Sequence, residues 1–558
     1  MKLFPVHCTD GYKLGHRGMY APGTTLVYSN FTPRSDSRFK GSRFYDGKMV
    51  VFGIQGFINE FLVEVFNENF FDVDKEKAVA RFRRRVDNYL TPGSIPVDGI
   101  AALHDLGYLP LEIMALPEGS RVPMKVPVLT VRNTHKDFAW LVNYLESVIS
   151  NSIWKSMVNA TLAYEYRRVF DYYADLTGSP KELVMWQGHD FSYRGMSGPE
   201  DGARSGAAHL LCFAGTDSVS AIDYIEDYYG ADVENGFVVG SVPATEHSVS
   251  SNNILFEERK YDGDVTNSKI CAEIAFMRRY LTEVVADGAI ASYVADTYDY
   301  FGVLTRVLPA LKDVIMSRSG KLVIRPDSGD PVKIVCGYDA VVDVTDLSAM
   351  TLFKVYHNNC GSNVAVRCDD KYYKIKVWRE PEDEEDRVVK AVEISEAEVK
   401  GSIQVLWELF GGTTTDKCFK LLDPHIGLIY GDSITLDRQD AILRRLAAKG
   451  FASANVVFGI GSYTYNYSTR DTFGSAMKAT MSVVDGEAIE LYKDPKTGDA
   501  MKKSARGFLK VEKVDGEFVL VDQVEGVETY CGEMSVVFYN GKVYGEQFSA
   551  IQNRLLGS

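Results

Sequence analysis

The chain lacks the sequence features of several protein classes. Its eight cysteines form no CxxC pair and show no metal-ligand spacing to histidine, which argues against a disulfide scaffold and a structural zinc site. It has no run of about 18 apolar residues, the length that a membrane-spanning helix needs. The first residues, MKLFPVHCTDGYKLGHR, contain no apolar signal-peptide core. These absences predict a protein of a reducing, cytoplasmic compartment.

Positive charge is also scarce. Lys and Arg number 61 against 76 Asp and Glu, and the net charge of −15 gives a pI near 5.2. This balance argues against nucleic-acid and anionic-membrane partners, so any basic site must be local. The fractions of hydrophobic (46%) and charged (25%) residues are typical of a globular protein. At about 150 residues per domain, the 558 residues correspond to roughly three or four domains, or to fewer large ones.

A repeated pattern organises the middle of the chain. Short apolar segments precede a polar loop and a helical pattern at Lys321–Arg325, Gly427–Tyr430 and Asn455–Phe458. Upstream, long helices are predicted over Phe138–Val158 and Thr161–Asp175. Alternation of strand, loop and helix predicts an α/β fold with a parallel sheet or barrel, in which functional groups collect in the loops after the strands.

The two chain ends and one internal segment depart from this alternation. Short strand patterns near both ends predict an α+β sheet domain formed from residues 1–136 and 480–558, beside an α/β barrel domain at 137–479. A β-rich insertion within the barrel, 333–398, contains the alternating strand Lys371–Arg379 and then an acidic run that we interpret as a solvated turn. The insertion could be a decorated surface, a dimer contact or a regulatory element.

Carboxylates and glycines follow two of the predicted strands. Arg325 and Asp327 lie in the loop RPDSGD, and Gly431 and Asp432 lie in the later loop YGDS. Carboxylates accept hydrogen bonds from the vicinal hydroxyls of a ribose, and glycine lets the backbone approach a phosphate closely. Either loop alone could be a simple turn, but two in successive loops favour a phosphosugar site.

A local basic patch follows the third strand. Gly461 and Ser462 open a loop toward a predicted helix on which Arg470 and Lys478, eight residues apart, share one face. From Arg470 to Lys510 there are eight basic and six acidic residues, so this window is net positive in an acidic chain. Phosphate is the predicted target of the patch, and a plain solvated surface is the alternative.

Two further motifs carry candidate binding groups. Phe191, Arg194 and Asp217 could sandwich a flat heterocycle and hydrogen-bond its substituent, although any one of them could instead be a core or capping residue. The pair Glu246-His247 could contain a satisfied histidine at a helix cap, or a group that transfers a proton or accepts a phosphoryl group.

Taken together, the motifs resemble the nicotinamide phosphoribosyltransferase family. They occur in the family's order as TDGYK at 9–13, HDFSYRG at 189–195, GTDS at 215–218, VPATEHS at 242–248, ADTYD at 295–299, VIRPDSGDP at 323–331, YGDS at 430–433 and STRD at 468–471. The resemblance spans about residues 9–507 without 333–398. It implies an irregular barrel of the type II phosphoribosyltransferase kind and a head-to-tail homodimer with active sites at the subunit interface.

The family's reaction joins nicotinamide to phosphoribosyl pyrophosphate (PRPP) with Mg²⁺, giving nicotinamide mononucleotide and pyrophosphate. On the pyridine side, the resemblance implies that Phe191 covers one face of nicotinamide and Tyr12 of the partner subunit covers the other. Arg194 and Asp217 would hold the carboxamide. His247 matches the histidine that family members phosphorylate with ATP, which couples ATP hydrolysis to tighter substrate binding.

On the sugar side, the resemblance implies that Arg325, Asp327 and Asp432 hold the ribose, and that Asp296 and Asp327 organise the magnesium–diphosphate. Phosphate contacts are implied for Gly431, Gly461, Ser462, Arg34, Arg470, Lys478, Lys493, and one of Lys502 and Lys503. One departure concerns the third loop, where the family commonly has three glycines and this chain reads Gly461-Ser462-Tyr463. The backbone cradle for the 5′-phosphate is therefore expected to be reshaped.

Asp217 bears most directly on the choice of substrate. A carboxylate accepts a hydrogen bond from the amide of nicotinamide but repels the carboxylate of nicotinate. We therefore expect nicotinamide as the substrate. The alternatives are a nicotinate phosphoribosyltransferase, and a non-catalytic binding protein that has kept the fold.

Overall fold

The computed structural model describes residues 3–261, 267–359, 363–379, 387–492 and 505–557. Its centre is a parallel sheet whose strands, among the described residues, follow the spatial order Gly215–Thr216, Gly188–Asp190, Val456–Ile460, Ile426–Tyr430, Leu322–Arg325 and Ala291–Val294. The three predicted strands are all present, shifted by one or two residues. They are apolar except for Arg325 at the end of its strand, because a parallel sheet covered by helices is buried on both faces.

A short irregular segment closes this sheet into an irregular barrel. Gly240 forms a parallel bridge to Gly215 at one edge, and Ala244 forms one to Ser292 at the other edge. The amide of Thr245 donates to the Ser292 carbonyl at 3.0 Å. We call residues 240–245 the closing segment. The predicted fold class, an α/β barrel with a sheet domain, is confirmed.

A second, antiparallel sheet contains strands from both ends of the chain. Within the described ranges, its order is Glu487–Glu490, Ala476–Val484, Thr24–Thr32, Leu129–Asn133, Leu111–Ala115, Ser535–Tyr539 and Lys542–Val543. Its core is separate from that of the barrel and contains aromatic side chains of the helical segment that begins at Ile54. Shorter antiparallel pairs are Lys48–Val50 with Arg121–Pro123, Gly412–Thr414 with Lys420–Leu422, and Phe508–Val514 with Glu517–Val524.

Residues inside the predicted insertion form a third sheet. Its strands in the described part are Ala340–Asp343, Val364–Cys368, Lys371–Arg379 and Arg387–Ile394, in that order. Helix Ala349–Asn358 packs on this sheet through Leu352 and Val355. The acidic run at 380–386, predicted as a solvated turn, lies outside the described residues.

Helices surround the barrel and flank the antiparallel sheet. The α-helices are Ile54–Phe57, Lys75–Tyr89, Asp98–Leu106, Leu141–Tyr144, Glu146–Thr177, Val184–Gln187, Pro199–Leu210, Val219–Tyr229, His247–Glu258, Ser268–Arg279, Tyr300–Gly302, Leu308–Ser317, Pro331–Cys336, Ala349–Asn358, Glu396–Lys400, Ser402–Phe410, Leu436–Ala448, Ser462–Tyr465 and Phe548–Leu556. None of the helices in the described residues is long and apolar enough to cross a membrane.

The prediction for the upstream helices was wrong in one respect. The patterns predicted as two helices, over Phe138–Val158 and Thr161–Asp175, contain a single 32-residue helix, Glu146–Thr177, preceded by the short helix Leu141–Tyr144. The long helix is buried along most of its length between the two cores, so its apolar residues do not follow a one-sided pattern. The predicted break near residue 159 reflected this mixed pattern.

Candidate active site

The carboxyl ends of the barrel strands carry most of the residues predicted from the motifs. Parallel strands place the loops that follow them at one end of the barrel, which is where such folds bind their ligands. We call the residues there the barrel-end cluster: Phe191, Asp217, His247, Asp296, Arg325, Asp327, Gly431, Asp432 and Gly461. His247 reaches this end because it begins the helix that follows the closing segment, after Glu246.

Phe191 forms a flat apolar surface in the cluster. Its amide donates to the Ile460 carbonyl at 3.0 Å, which ties it to the neighbouring strand. Its ring packs over Gly459, where any Cβ atom would overlap the ring. The Arg325 guanidinium lies 6.0 Å from the ring centre. The sequence therefore builds a ring platform with a cation beside it, as expected for binding a heteroaromatic ring.

Asp217 lies beside this platform as a half-exposed carboxylate, with 46% of its side chain accessible. Its Oδ1 accepts hydrogen bonds from His189 Nε2 at 2.8 Å and from Ser241 Oγ at 2.6 Å. Burial alone would raise the pKa of Asp217, but the hydrogen bond and charge of His189, with Ser241 and Arg325, bring that pKa below its ordinary value. Asp217 is therefore an anion that faces the barrel mouth.

Asp296 organises the acidic side of the cluster, and only 5% of its side chain is accessible. Its Oδ2 accepts from the Asp327 amide at 3.0 Å and from Ser328 Oγ at 2.6 Å. Its Oδ1 is buried and accepts no hydrogen bond from the residues that the structure describes. His247 Nε2 lies 3.4 Å from this oxygen. Asp296 thus holds the RPDSGD loop with one oxygen and faces His247 with the other.

Negative charge is concentrated around this carboxylate. Burial, followed by the charges of Asp432, Asp296, Asp330 and Asp327, raises the pKa of Tyr430 well above its ordinary value. Over the described ranges, no group of three or more His, Cys, Asp or Glu side chains is arranged to hold a metal ion. The predicted pair, Asp296 and Asp327, therefore offers protein oxygens for only part of a coordination shell, as is usual for Mg²⁺ sites completed by phosphates and water.

The third loop follows strand Val456–Ile460. A Cβ atom at Gly461 would meet nothing within 4 Å, so its backbone faces open space. The side chain of Ser462 packs against the backbone of Gly195, where no Cβ would fit. Ser462 stands where the family commonly has a glycine. Its side chain fits because Gly195, in the HDFSYRG motif, has no side chain of its own. Tyr463 is half exposed and packs on Tyr467, with ring centres 4.7 Å apart.

Four predicted residues, Tyr12, Arg34, Arg470 and Lys478, lie elsewhere and line a cleft of about 520 Å³ on the antiparallel sheet. We call them the cleft cluster. Two-thirds of Tyr12 is exposed, and Arg34 Nε donates to the Gly474 carbonyl at 2.6 Å. In the described parts of the chain, no recorded hydrogen bond, ion pair or ring contact joins the cleft cluster to the barrel-end cluster.

The helix predicted to carry both Arg470 and Lys478 is not formed. Arg470 begins a single 3₁₀ turn, Arg470–Thr472, and Lys478 lies on strand Ala476–Val484. Gly474, at φ +55°, separates the two elements in a conformation that favours glycine. The strand forms because residues 476–484 pair with Thr24–Thr32, a tertiary contact that local sequence does not report.

Comparison with known proteins places this arrangement in a family. Residues 186–524 match the model of the nicotinate phosphoribosyltransferase (NAPRTase) family. A protein named nicotinamide phosphoribosyltransferase from Acinetobacter baylyi is 46% identical over 548 residues, covering 97% of this chain and 95% of its own. The chain belongs to the NAPRTase family. It is therefore a phosphoribosyltransferase, and the resemblance drawn from its motifs is confirmed.

Two more distant proteins resemble this NAPRTase-family chain over nearly its whole length. A protein of the same name from Xanthomonas campestris pv. campestris is 28% identical over 548 residues, covering 96% of this chain and 95% of its own. The crystal structure of a nicotinate-nucleotide pyrophosphorylase from Pyrococcus furiosus aligns with a TM-score of 0.50 at 13% identity, over 99% of this chain and 94% of that one. This structural likeness shows a shared fold.

Several predicted residues of this NAPRTase-family chain fall outside the two clusters. Arg194 is exposed on the 3₁₀ turn Tyr193–Gly195, just after the Phe191 platform. Lys493, predicted to bind phosphate, and Lys502 and Lys503, of which one is predicted to do so, lie outside the described residues.

Sequence reasoning did not assign roles to His189 and Ser241, which both contact Asp217. The sequence spacing could have indicated His189. In an extended chain, residues i and i+2 share a face, so His189 is expected on the same face as Phe191. No comparable signal indicated Ser241, since its segment joins the barrel only by isolated bridges.

Proposed function

We propose that this enzyme transfers the phosphoribosyl group of PRPP to nicotinamide, giving nicotinamide mononucleotide and pyrophosphate in NAD salvage. The observation that carries the proposal is the Asp217 carboxylate beside the Phe191 platform. Its charge attracts the amide N–H of a pyridine carboxamide and repels the carboxylate of nicotinate. The names of the Acinetobacter and Xanthomonas relatives support the same substrate.

The barrel-end cluster suits the chemistry of this transfer. Departure of pyrophosphate leaves an oxocarbenium-like centre at the anomeric carbon, and the pyridine nitrogen must be held beneath that carbon. In the proposal, Phe191 sets the plane of the ring and Asp217 sets its rotation within that plane. Asp327 and Asp432 accept hydrogen bonds from the ribose hydroxyls, and Arg325 adds positive charge near the phosphates.

Mg²⁺ fits the acidic side of the cluster. Asp296 Oδ1 is buried without a hydrogen bond from any described residue, and Asp327 is the next carboxylate along this side. We propose that these two side chains hold the ion, directly or through water. When bound, Mg²⁺ would screen the charge of the pyrophosphate as it leaves.

The cleft cluster requires a second subunit in this proposal. Tyr12, Arg34, Arg470 and Lys478 have the chemistry of a ring cover and a diphosphate site, but they line a cleft on the antiparallel sheet. We propose a head-to-tail homodimer in which the cleft cluster of each subunit completes the barrel end of the other. Each active site would then combine an acidic half and a basic half.

His247 is proposed to couple ATP hydrolysis to the reaction. The negative charge of Asp296 lies 3.4 Å from His247 Nε2, so it favours the tautomer with the hydrogen on Nε2 and the lone pair on Nδ1. Nδ1 would attack the γ-phosphorus of ATP, ADP would leave, and water would later release phosphate. A His247→Ala variant should keep a basal transferase rate and lose ATP hydrolysis. Undiminished ATP hydrolysis in that variant would refute the phosphohistidine role.

One assay tests the main proposal. Purified protein is incubated with PRPP, Mg²⁺ and either nicotinamide or nicotinate, with and without ATP, and the mononucleotide is quantified. We expect a kcat/KM for nicotinamide at least 100-fold above that for nicotinate, and an Asp217→Asn variant with at least a tenfold smaller ratio, since the like-charge repulsion is removed. A preference for nicotinate would refute nicotinamide as the substrate, and no product from either would refute a catalytic role.

A further inference from the structure

Asp217 is held by two donors that share one of its oxygens. His189 Nε2 and Ser241 Oγ both bond Oδ1, and they lie 3.5 Å from each other. No hydrogen bond to Oδ2 is recorded from the described residues. A carboxylate anchored through one oxygen presents the other in a fixed direction. Asp217 therefore reaches the barrel mouth with one acceptor atom already oriented.

His189 cannot easily change its orientation. It lies on strand Gly188–Asp190 and is 91% buried, at 9% exposure. A Cβ atom at Gly215 would lie only 2.6 Å from His189 Nδ1, so the glycine makes room for the ring on one side. On another side, the ring centre lies 4.8 Å from that of Phe191. His189 thus contacts both Phe191, whose ring is the platform, and Asp217 beside it.

The direction of the hydrogen bond follows from charge. Asp217 is ionised, so its oxygens only accept, and His189 Nε2 must carry the hydrogen. A buried donor bonded to a charged acceptor is among the stronger hydrogen bonds in proteins, and it fixes geometry as well as charge. Loss of this donor would let the carboxylate rotate, leaving Ser241 as its remaining partner on Oδ1.

We propose that His189 is a positioning residue for substrate choice: it orients the Asp217 carboxylate so that Oδ2 accepts from the carboxamide of a pyridine ligand and rejects a pyridine carboxylate. This inference rests on the proposed function and adds to it the residue that sets the geometry of the selecting group. Ser241 supplies a second, weaker anchor, because its hydroxyl lies on the exposed closing segment.

A buried histidine could also be a packing residue only, and the neighbouring His209 provides the matched comparison. His209 is fully buried and bonds Tyr465 Oη at 2.7 Å and the Gly215 carbonyl at 3.1 Å. No hydrogen bond between His209 and Asp217 is recorded in the described structure. Substitution of either histidine should reduce stability, but only His189 should alter substrate choice.

The experiment measures kcat and KM for nicotinamide and nicotinate, at saturating PRPP, in four proteins: the unsubstituted enzyme, His189→Leu, His189→Gln and His209→Gln. Gln places an N–H donor close to the position of Nε2, whereas Leu provides none. For His189→Leu we expect a KM for nicotinamide raised about tenfold or more, a smaller change in kcat, and a nicotinamide-to-nicotinate ratio lowered at least tenfold. His189→Gln should recover most of the ratio, and His209→Gln should retain it.

The midpoint of thermal unfolding is measured for each variant, so that the kinetic constants are compared only between proteins that are folded at the assay temperature. An unchanged ratio in folded His189→Leu, or a His189→Gln variant as defective as His189→Leu, would overturn the positioning role. A ratio lost equally in His209→Gln would overturn it too, because packing would then be sufficient to explain the effect. If the unsubstituted enzyme makes no mononucleotide from nicotinamide, the proposed function fails and this inference fails with it.

Discussion

The barrel-end cluster and the cleft cluster differ in charge and in internal order. At the barrel end, Asp296 is buried and bonded to the RPDSGD loop of the next strand, and Asp217 is anchored by two donors. In the cleft, Tyr12 and Lys478 are exposed. The first cluster is preorganised before any ligand arrives, whereas the second offers cations and a ring on an open surface.

In the proposed dimer, this difference would allow an enzyme with a net charge of −15 to bind a highly charged phosphosugar. In the proposed mechanism, the acidic barrel end orients the neutral pyridine, the sugar and Mg²⁺. The cations proposed to bind the diphosphate lie in the cleft cluster, and among the described residues they form no ion pair with those carboxylates. In the proposed dimer, the two kinds of group meet only at a shared site.

The largest expected effect comes from the barrel end. An Asp296→Asn variant should lower kcat/KM for PRPP about 1,000-fold, equivalent to about 4 kcal/mol, because it removes a buried charge from the metal side and from His247. Steady-state kinetics at varied PRPP would measure the loss. Asp330→Asn is the control in the same region, since Asp330 caps helix Pro331–Cys336 and Asn caps about as well. An equal loss of kcat/KM in both variants would show that the loss comes from a disturbed loop and not from the missing Asp296 charge.

A second prediction concerns the contact between the antiparallel-sheet region and the barrel. Glu118 is buried, accepts from Tyr229 Oη at 3.1 Å and from the Gly53 and Gln55 amides, and burial raises its pKa to about 7. Because the unfolded carboxyl ionises near 4.5, the stabilisation from its protonated form is complete below about pH 4.5 and is lost as pH rises through about 7, a change of about 3 kcal/mol.

Glu118→Gln tests this assignment by removing the titrating group. The midpoint of thermal unfolding, measured for both proteins at pH 5 and pH 8, should show a greater advantage of the unsubstituted enzyme at pH 5. Other titrating groups are common to both proteins, so they cancel in the difference. An advantage that grows toward pH 8 would contradict the direction of the pKa shift.

The smallest of these three effects is expected for Lys478, a single cation of the cleft cluster. Lys478→Ala should raise KM for PRPP about tenfold with little change in kcat, and the increase should shrink at high ionic strength as phosphate attraction is screened. The strand pairing should persist, because Asn30 bonds the backbone carbonyl of Lys478. Lys542→Ala, on another strand of the same sheet, is the matched control. An equal rise in KM for Lys542→Ala would indicate a general charge effect.

The sequence predicted those features that depend on local pattern. Strands such as Leu322–Arg325 and Val456–Ile460 could be predicted because continuous apolar runs are required by a buried parallel sheet. The loops after them could be predicted as the site because parallel strands end at one edge. The substrate and the roles of most site residues came from the resemblance to a family.

Other features depend on contacts distant in sequence. The local sequence predicted a helix at Lys478. The residue lies on a strand instead, because the strand is specified by pairing with Thr24–Thr32, more than 440 residues away. The closing segment contains Gly240 and Pro243 and joins the sheet only by isolated bridges, so neither its position nor the contact of Ser241 with Asp217 could be predicted. The separation into two clusters likewise became visible only in three dimensions.

Subunit complementation tests whether a barrel end and a cleft from different subunits form one active site. Asp327→Ala disables the barrel end and Arg470→Ala disables the cleft, and each variant alone should be nearly inactive. After equimolar co-expression, about half of the dimers should be mixed, and each mixed dimer should contain one intact site, restoring about a quarter of the unsubstituted activity. Activity no higher than that of the single variants would show instead that each site is built within one chain.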